Sequence, residues 1–412
     1  MIRSGKMILD RTAEMAAWLS EATSIYNQAL YYLRQEFFAA EKGGRKPDYS
    51  GIDLYRLVKE TEAWNVSTLD ANAKSYVLRN VKDNWTAFYR VCKAYWKDKS
   101  GFTGRPRIPG YLKNGRPAVL TFDKSRLRHK DIEANTLTLP KSKRTLKIPD
   151  YIGIPKIRCI KVKSFYGKVK LTISYERETK CHGLDKGKWL GVDIGVDNIA
   201  AITTDGQTGK SWIVKGGCVK SINQFYNKRL SEMKSTLEKV NGRKTSKAVH
   251  RLNMKRSNRL DYEFHCISKA IVGLCVENGI GNVVVGHNPG WKQGCDMGRR
   301  TNQTFVQIPF NELISKLRYK CEDNGISFME TEEGYTSKTD HSSCESMERH
   351  ETYLGRRISR GLFRTAGGKL LNADVNGAVG ILRKANAFPD AECIGLRDRG
   401  DVVSPLVLRY KP

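Results

Sequence analysis

Residues 187–390 carry an order of apolar segments that few folds can accommodate. Trp189–Ile194 reads as a buried strand and Ile199–Thr204 as its hairpin partner, followed by a turn at Asp205-Gly206 and a third strand at Ser211–Val214. A long basic helical stretch over about 219–278 comes next, then a strand at Asn282–Val285, a helix over about 310–321, a strand at Ile326–Glu332 and a last helix from about Asn372. A meander of three antiparallel strands, then two strands each preceded by a helix, is the order expected of an RNase H-like α/β sheet.

The N-terminal half is built differently. Leu19, Ala22, Tyr26, Leu30, Leu33 and Phe37 repeat at the spacing of one helix face, as do Leu78, Val81, Trp85, Phe88, Cys92 and Tyr95. The two runs predict a helical lobe over 11–99, with most of its aromatics in a core and Tyr31, Tyr32 and Trp96 exposed for stacking. From Gly101 the texture changes to Gly-, Pro- and Lys-rich turns and short alternating strands near 137–139, 157–163 and 168–175. In the last two, Lys161, Lys163, Lys168 and Lys170 share one face while Ile160, Val162, Val169 and Leu171 share the other. Such a lysine face meets either phosphate or water.

Charge tilts that choice toward phosphate. Lysine and arginine outnumber the acids 72 to 43, a formal charge of +29, which favours a polyanionic partner. No apolar run is long enough to span a bilayer and no leader-like order opens the chain, so a soluble, cytoplasmic protein without a membrane partner or a small-molecule substrate is expected. Ten cysteines are scattered singly without a C-x-x-C pair, as expected of reduced thiols rather than a disulfide framework.

Two acids stand out against this background. Asp193 lies in the otherwise apolar strand of VDIGVDN, where an unpaired charge is costly unless it binds a cation or a neighbouring base. Asp374 lies in LNADVNGAVGIL, where Asn372 is placed to cap a helix whose buried stripe is Val375, Ala378, Val379 and Leu382. Phosphodiester hydrolysis by two metal ions needs carboxylates converging from separate elements, because hard divalent ions prefer oxygen and must bridge the attacking and leaving oxygens.

The set GVDIGVDNIA, YNKRL, KRSNRLDYEFHCISKAIV, NVVVGHNPGWKQ, NQTFVQIPF, EEGYTSK and NADVNGAVGILRK resembles the RuvC-like domain of the TnpB family of transposon-encoded RNA-guided DNA endonucleases. YNQALYYLR, AFYRVCKAYWKD and GRPRIPGY extend the likeness over nearly the whole chain. The resemblance implies a multidomain α+β protein. Its parts would be a wedge-like β-barrel (1–10 and 100–186) with the helical recognition lobe inserted, a RuvC-like domain (187–338 and 371–390) and a C-terminal tail (391–412). It further implies a guide RNA, a double-stranded DNA target with a short adjacent motif, and two Mg²⁺ ions, with Mn²⁺ able to substitute. Compact type V CRISPR effectors are similar in build. A guided repressor that has lost cleavage and a DNA-joining transposase are the rival readings.

The chain departs from the family pattern twice. The usual second acid follows the fourth strand, where this chain has Gly286. Glu332-Glu333 ends the fifth strand, which in an RNase H-like sheet lies beside the fourth, and a glutamate there could fill the space that Gly286 leaves. Side chains alternate along a strand, so one of the two is expected to turn inward; Glu333 is the choice, with Glu332 in reserve, giving Asp193, Glu333 and Asp374 as metal ligands. The second departure is the zinc ribbon: only Cys344, His341 and His350 stand where two cysteine pairs are usual, too few and too irregular for a closed site. No zinc is expected, and residues 339–370, with Arg356, Arg357, Arg360 and Arg364, are read as a substrate-facing replacement. Arg251, Lys255 and Arg256 on the long helix, and Trp291, Lys292, Arg299 and Arg300 beyond the fourth strand, complete the expected nucleic-acid contacts.

Overall fold

The computed structural model describes residues 1–113, 116–152, 156–206, 209–288, 298, 305–388 and 399–410, and the chain divides into two units, Met1–Arg177 and Glu178–Pro412. In the first, strand β1 (Ile2–Leu9) precedes helices α1 (Ala13–Lys42), α2 (Leu54–Lys59), α3 (Glu62–Asn65) and α4 (Ala71–Lys97). Strand β2 (Leu120–Asp123), helix α5 (His129–Glu133) and strands β3 (Thr136–Thr138), β4 (Thr145–Lys147), β5 (Lys156–Phe165) and β6 (Lys168–Glu176) follow. The Thr12 hydroxyl accepts a hydrogen bond from the Met15 amide at 3.2 Å and starts α1, whose Leu19, Ala22, Tyr26, Leu30 and Leu33 are buried. Asp70 does the same for α4 at the Asn72 amide, 3.0 Å. The apolar face of the sheet joins this helical core, Trp18 meeting Phe122 at a centroid distance of 6.0 Å.

That packing explains one departure from the sequence reading. Among the described residues there is no closed barrel: the sheet is open, ordered β1-β6-β5-β2, and β3-β4 form a separate pair. Helices already cover its apolar face, so burial does not require edge strands β1 and β2 to meet. Strands β5 and β6 join through Tyr166 (φ 48°) and Gly167 (φ 81°), a two-residue left-handed turn that pairs Phe165 with Lys168. The register sets Lys163 opposite Lys170. Of the three aromatics expected to be exposed, Tyr31 and Trp96 are, while Tyr32 packs against the core.

The second unit carries a six-stranded sheet. It contains β7 (Asp185–Asp193), β8 (Asn198–Thr204), β9 (Ser211–Lys215), β10 (Ile280–Gly286) and β11 (Ser327–Thr331), with β15 (Leu406–Val407) at one edge, in the order β11-β10-β7-β8-β9-β15. β7, β8 and β9 are antiparallel, whereas β10 runs parallel to β7 and β11 parallel to β10. Every residue of β10 is buried, as a strand covered on both faces requires. Val283 and Val285 face the core shared with α7 (Lys247–Glu277) and α8 (Phe310–Asp323), and Val284 faces α9 (Ala373–Lys384).

The basic stretch over 219–278 is two helices, α6 (Gly217–Asn241) and α7. Gly242 takes φ 64° and ends the first, and the Ser246 hydroxyl accepts from the Val249 amide to start the second. Residues 339–370 are also more ordered than their sequence suggests: β12 (Arg356–Ser359), β13 (Leu362–Arg364) and β14 (Leu370–Asn372) form an antiparallel sheet that runs directly into α9. Its base is a buried polar network. Asp340 accepts from the Ser342 amide (3.0 Å), the Ser343 hydroxyl (2.8 Å) and the Ala366 amide (2.7 Å). Arg383 of α9 donates to His341 Nδ1 (3.0 Å) and to the Glu345 carbonyl (2.9 Å). A short helix, α10 (Gly400–Val403), precedes β15.

Candidate active site

The centre of the second unit is set by three close approaches. Helix α9 crosses β7 at Gly191, where a Cβ would lie 2.7 Å from the Ala378 carbonyl oxygen. One turn after Asp374, Gly377 lies over the end of β7, where a Cβ would stand 2.6 Å from Asp193 Oδ2. At the end of β10, a Cβ on Gly286 would stand 2.7 Å from Glu333 Oε1 and 2.5 Å from Ile381 Cδ1. The Glu333 side chain therefore occupies the space that a side chain at 286 would take. Pairing of Gly286 with Thr331 in the parallel β10-β11 ladder puts residue 333 just beyond the strand end. The Glu333 amide donates to Asn288 Oδ1 at 2.9 Å, fixing the backbone there.

Electrostatics follow from this crowding. Burial, with the charges of Glu333 and Asp374 added to it, pushes the Asp193 carboxyl up to about 8 against an opposing pull from Arg357. Burial also pushes Glu333 up to about 7, against His287 and Lys384. Glu333 Oε1 is buried without a hydrogen-bond partner, which an acceptor in such a place does not tolerate cheaply. Asp374 is differently served: Asn198 Nδ2 donates to Oδ2 at 2.7 Å and an Arg357 Nη donates to Oδ1 at 2.8 Å. Asn372 caps α9 by accepting from the Asp374 and Val375 amides at 3.1 and 3.2 Å. Glu332 points away, its side chain 73 % exposed and 3.5 Å from Lys384 Nζ. As placed, no three His, Cys, Asp or Glu side chains among the described residues stand close enough together to hold an ion.

The expected nucleic-acid contacts are distributed unevenly. Lys161 and Lys163 are exposed, Lys168 pairs with Asp10 at 2.9 Å, and Lys170 lies over the Phe165 ring at 5.1 Å. Arg251 and Lys255 are exposed on α7. Arg256 is instead tied to Asn223 Oδ1 and the Gln307 carbonyl, both at 2.8 Å, and stacks on Tyr226. Arg356 is exposed and Arg357 is the partner of Asp374. Trp291, Lys292, Arg299 and Arg300 lie outside the described residues. His341 has both ring nitrogens engaged, one by the Thr336 carbonyl at 2.7 Å and one by Arg383, and burial lowers its pKa to about 4. His350 bonds to Ser346.

Sequence reasoning did not single out Asn198, Asp197 or His287. Asp197 accepts from Lys220 at 2.6 Å and pairs with Arg360; His287 Nδ1 lies 2.9 Å from Glu330 Oε2. The one local signal was the polar VDN turn between β7 and β8. Its partners come from residues far along the chain.

The chain is a two-unit α+β protein whose second unit places Asp193 and Glu333 at strand ends of a mixed sheet and Asp374 in the first turn of α9. The family model described as a probable transposase, OrfB_IS605, matches residues 172–292, and the Cas12f1-like TNB domain model matches residues 310–381. The CRISPR-associated endodeoxyribonuclease Cas12f1 of Sulfoacidibacillus thermotolerans is 27% identical over 219 residues, 51% of this chain and 49% of the relative, so the match spans about half the relative's length. The TnpB-like protein ORF457 of Acidianus two-tailed virus is 24% identical over 92% of this chain and 83% of its own. A solved Cas12f1-sgRNA-target DNA complex shares the fold at a TM-score of 0.54 and 16% identity, over 89% of this chain and 82% of the solved one. These matches support a TnpB-family protein. Among the described residues no helix is long and apolar enough to cross a membrane.

Proposed function

We propose that this protein is an RNA-guided DNA endonuclease whose C-terminal unit is an RNase H-like, RuvC-type nuclease domain. The strand order and directions of its sheet support the domain assignment. The observation that carries the catalytic reading is Glu333. Its carboxylate fills the space over Gly286 beside Asp193 and keeps a buried oxygen without a partner.

Asp193, Glu333 and Asp374 offer hard oxygen donors, the set that a divalent ion such as Mg²⁺ takes. Mg²⁺ bound there, with Mn²⁺ as a substitute, supplies Lewis-acid stabilisation of the attacking and leaving oxygens. The chain's own part is to hold the carboxylates apart on three elements, β7, the end of β11 and α9. Asn198 orients Asp374, and Asn288 anchors the backbone of Glu333. Lys161, Lys163, Arg251, Lys255 and Arg356 present charge to the phosphates of the guide RNA and the double-stranded target, while base pairing supplies sequence choice beside a short adjacent motif. The test is the chemistry of the ends. Cleavage by the guide-bound protein in Mg²⁺ should leave 5′-phosphate and 3′-hydroxyl termini; covalent attachment of protein to DNA, or joined products, would instead point to a transposase.

One observation favours the second reading, a guided repressor without cleavage: the carboxylates are not gathered into a ready three-ligand group. The pH response bears on this. Folded-state pKa values of about 8 and about 7 lie above the unfolded values near about 4. The stabilising protonated forms are therefore present at low pH and lost as pH rises through about 7 to 8. The metal-free chain should thus lose thermal stability as pH rises from about 4 to about 8, with no further loss from these two groups above that. Asp193→Asn should remove most of that loss, and millimolar Mg²⁺ should offset it in the unaltered chain, both read by scanning calorimetry. A repressor that binds no ion would show the pH effect without the Mg²⁺ effect.

A further inference from the structure

We infer that Arg357 and Arg360 form a cation-displaceable latch that holds the β12-β13 hairpin over the acidic centre. This rests on the proposed metal-binding role of that centre. Two guanidinium groups from one hairpin reach two separate carboxylates: Arg357 binds Asp374 at 2.8 Å, and Arg360 binds Asp197. The other oxygen of each acid is also occupied, by Asn198 on Asp374 and by Lys220 on Asp197. On Asp374, one of the three proposed ligands, arginine is bound where a divalent ion would bind, and its charge stands in for that of the ion. The two compete because a divalent ion at Asp374 repels the guanidinium beside it and takes over the charge that held it.

The mechanics of the hairpin suit this exchange. Its base is fixed: β14 runs into α9, and Arg383 joins α9 to His341 and the Glu345 carbonyl. Arg360 lies at the turn and Arg357 on β12 opposite Phe363; their side chains are 76% and 44% exposed, and exposed ion pairs of this kind hold weakly in water. A divalent ion drawn to Asp374 is attracted as well by the charge of Glu333, whose buried Oε1 has no partner, an attraction that the monovalent guanidinium on Asp374 does not use. The latch is therefore closed without the ion and opens when the ion arrives, freeing both arginines at the mouth of the centre.

The test is Mn²⁺ alone, titrated into the full-length chain without nucleic acid and followed by the electron paramagnetic resonance of free Mn²⁺. R357Q should bind Mn²⁺ about tenfold more tightly than the unaltered chain, since it removes both a competitor and a nearby positive charge. R360Q should tighten binding less, and D374N should lose it. Amide exchange at 356–361 in the unaltered chain should rise on Mn²⁺ addition. Folded R357Q, judged by circular dichroism, that binds no better than the unaltered chain would overturn the latch while leaving the metal centre standing. Failure of both the unaltered chain and R357Q to bind Mn²⁺ would overturn the metal centre and the latch with it.

Discussion

Glu333→Ala should lower DNA cleavage by the guide-bound protein by about a thousandfold, the scale on which removal of a group that stabilises transition-state charge is felt. Target binding should stay within about twofold, because guide pairing and phosphate contacts lie elsewhere. Glu332→Ala is the internal control. Its side chain is 73% exposed and weakly paired with Lys384, so its loss should change the cleavage rate by less than about twofold. Single-turnover cleavage together with a filter-binding titration separates the two effects. Equal rates for Glu333→Ala and the unaltered protein would remove Glu333 from the site; a large effect of Glu332→Ala would mean that the strand end turns the other way.

The second large effect concerns position 286. A methyl group there would stand 2.5 Å from Ile381 Cδ1 and 2.7 Å from Glu333 Oε1, so Gly286→Ala forces the carboxylate out of place. Overpacking of this kind costs about 1–3 kcal/mol, and misplacing the acid by about an ångström should slow cleavage about a hundredfold. The compensating change is instructive. Gly286→Glu combined with Glu333→Ala returns an acid to the end of β10 and removes the Glu333 contact, leaving only the flexible end of Ile381 to shift, and it should recover activity to within about tenfold of the unaltered protein, the two positions being coupled as contacting residues are. Cleavage rates of Gly286→Glu, Glu333→Ala and the double variant form the measurement. Strict additivity would argue that residues 286 and 333 do not share one space.

How far this site can be read without coordinates depends on the distance over which each residue is specified. Asp193 and Asp374 are legible because each sits inside its own element: an acid in an apolar strand, and an acid in the first turn of a helix capped by Asn372. Glu333 is legible in part, since strand alternation narrows Glu332-Glu333 to one inward residue and Gly286 marks a missing side chain. The arginine and asparagine partners of Asp374 come from residues 17 and 176 positions away, and no local pattern announces such pairs. Strands β12 to β14 are short and arginine-rich, with Phe363 and Leu371 the inward residues, so alternation has too few positions to register. The open sheet of the first unit was hidden for another reason. Strand alternation reports a buried face, but not whether a helix or a closing strand covers it.

Plasmid cleavage tests the central claim most directly. The guide-bound protein is incubated in Mg²⁺ with a library that places the guide's target beside randomised flanks, and cut and bound plasmids are sequenced separately. An active nuclease centre predicts linear products enriched for one short flanking motif, with none when Mg²⁺ is replaced by a chelator. Enrichment of the same motif among bound plasmids, with no linear product at any Mg²⁺ concentration, would contradict it and leave a guided DNA-binding protein.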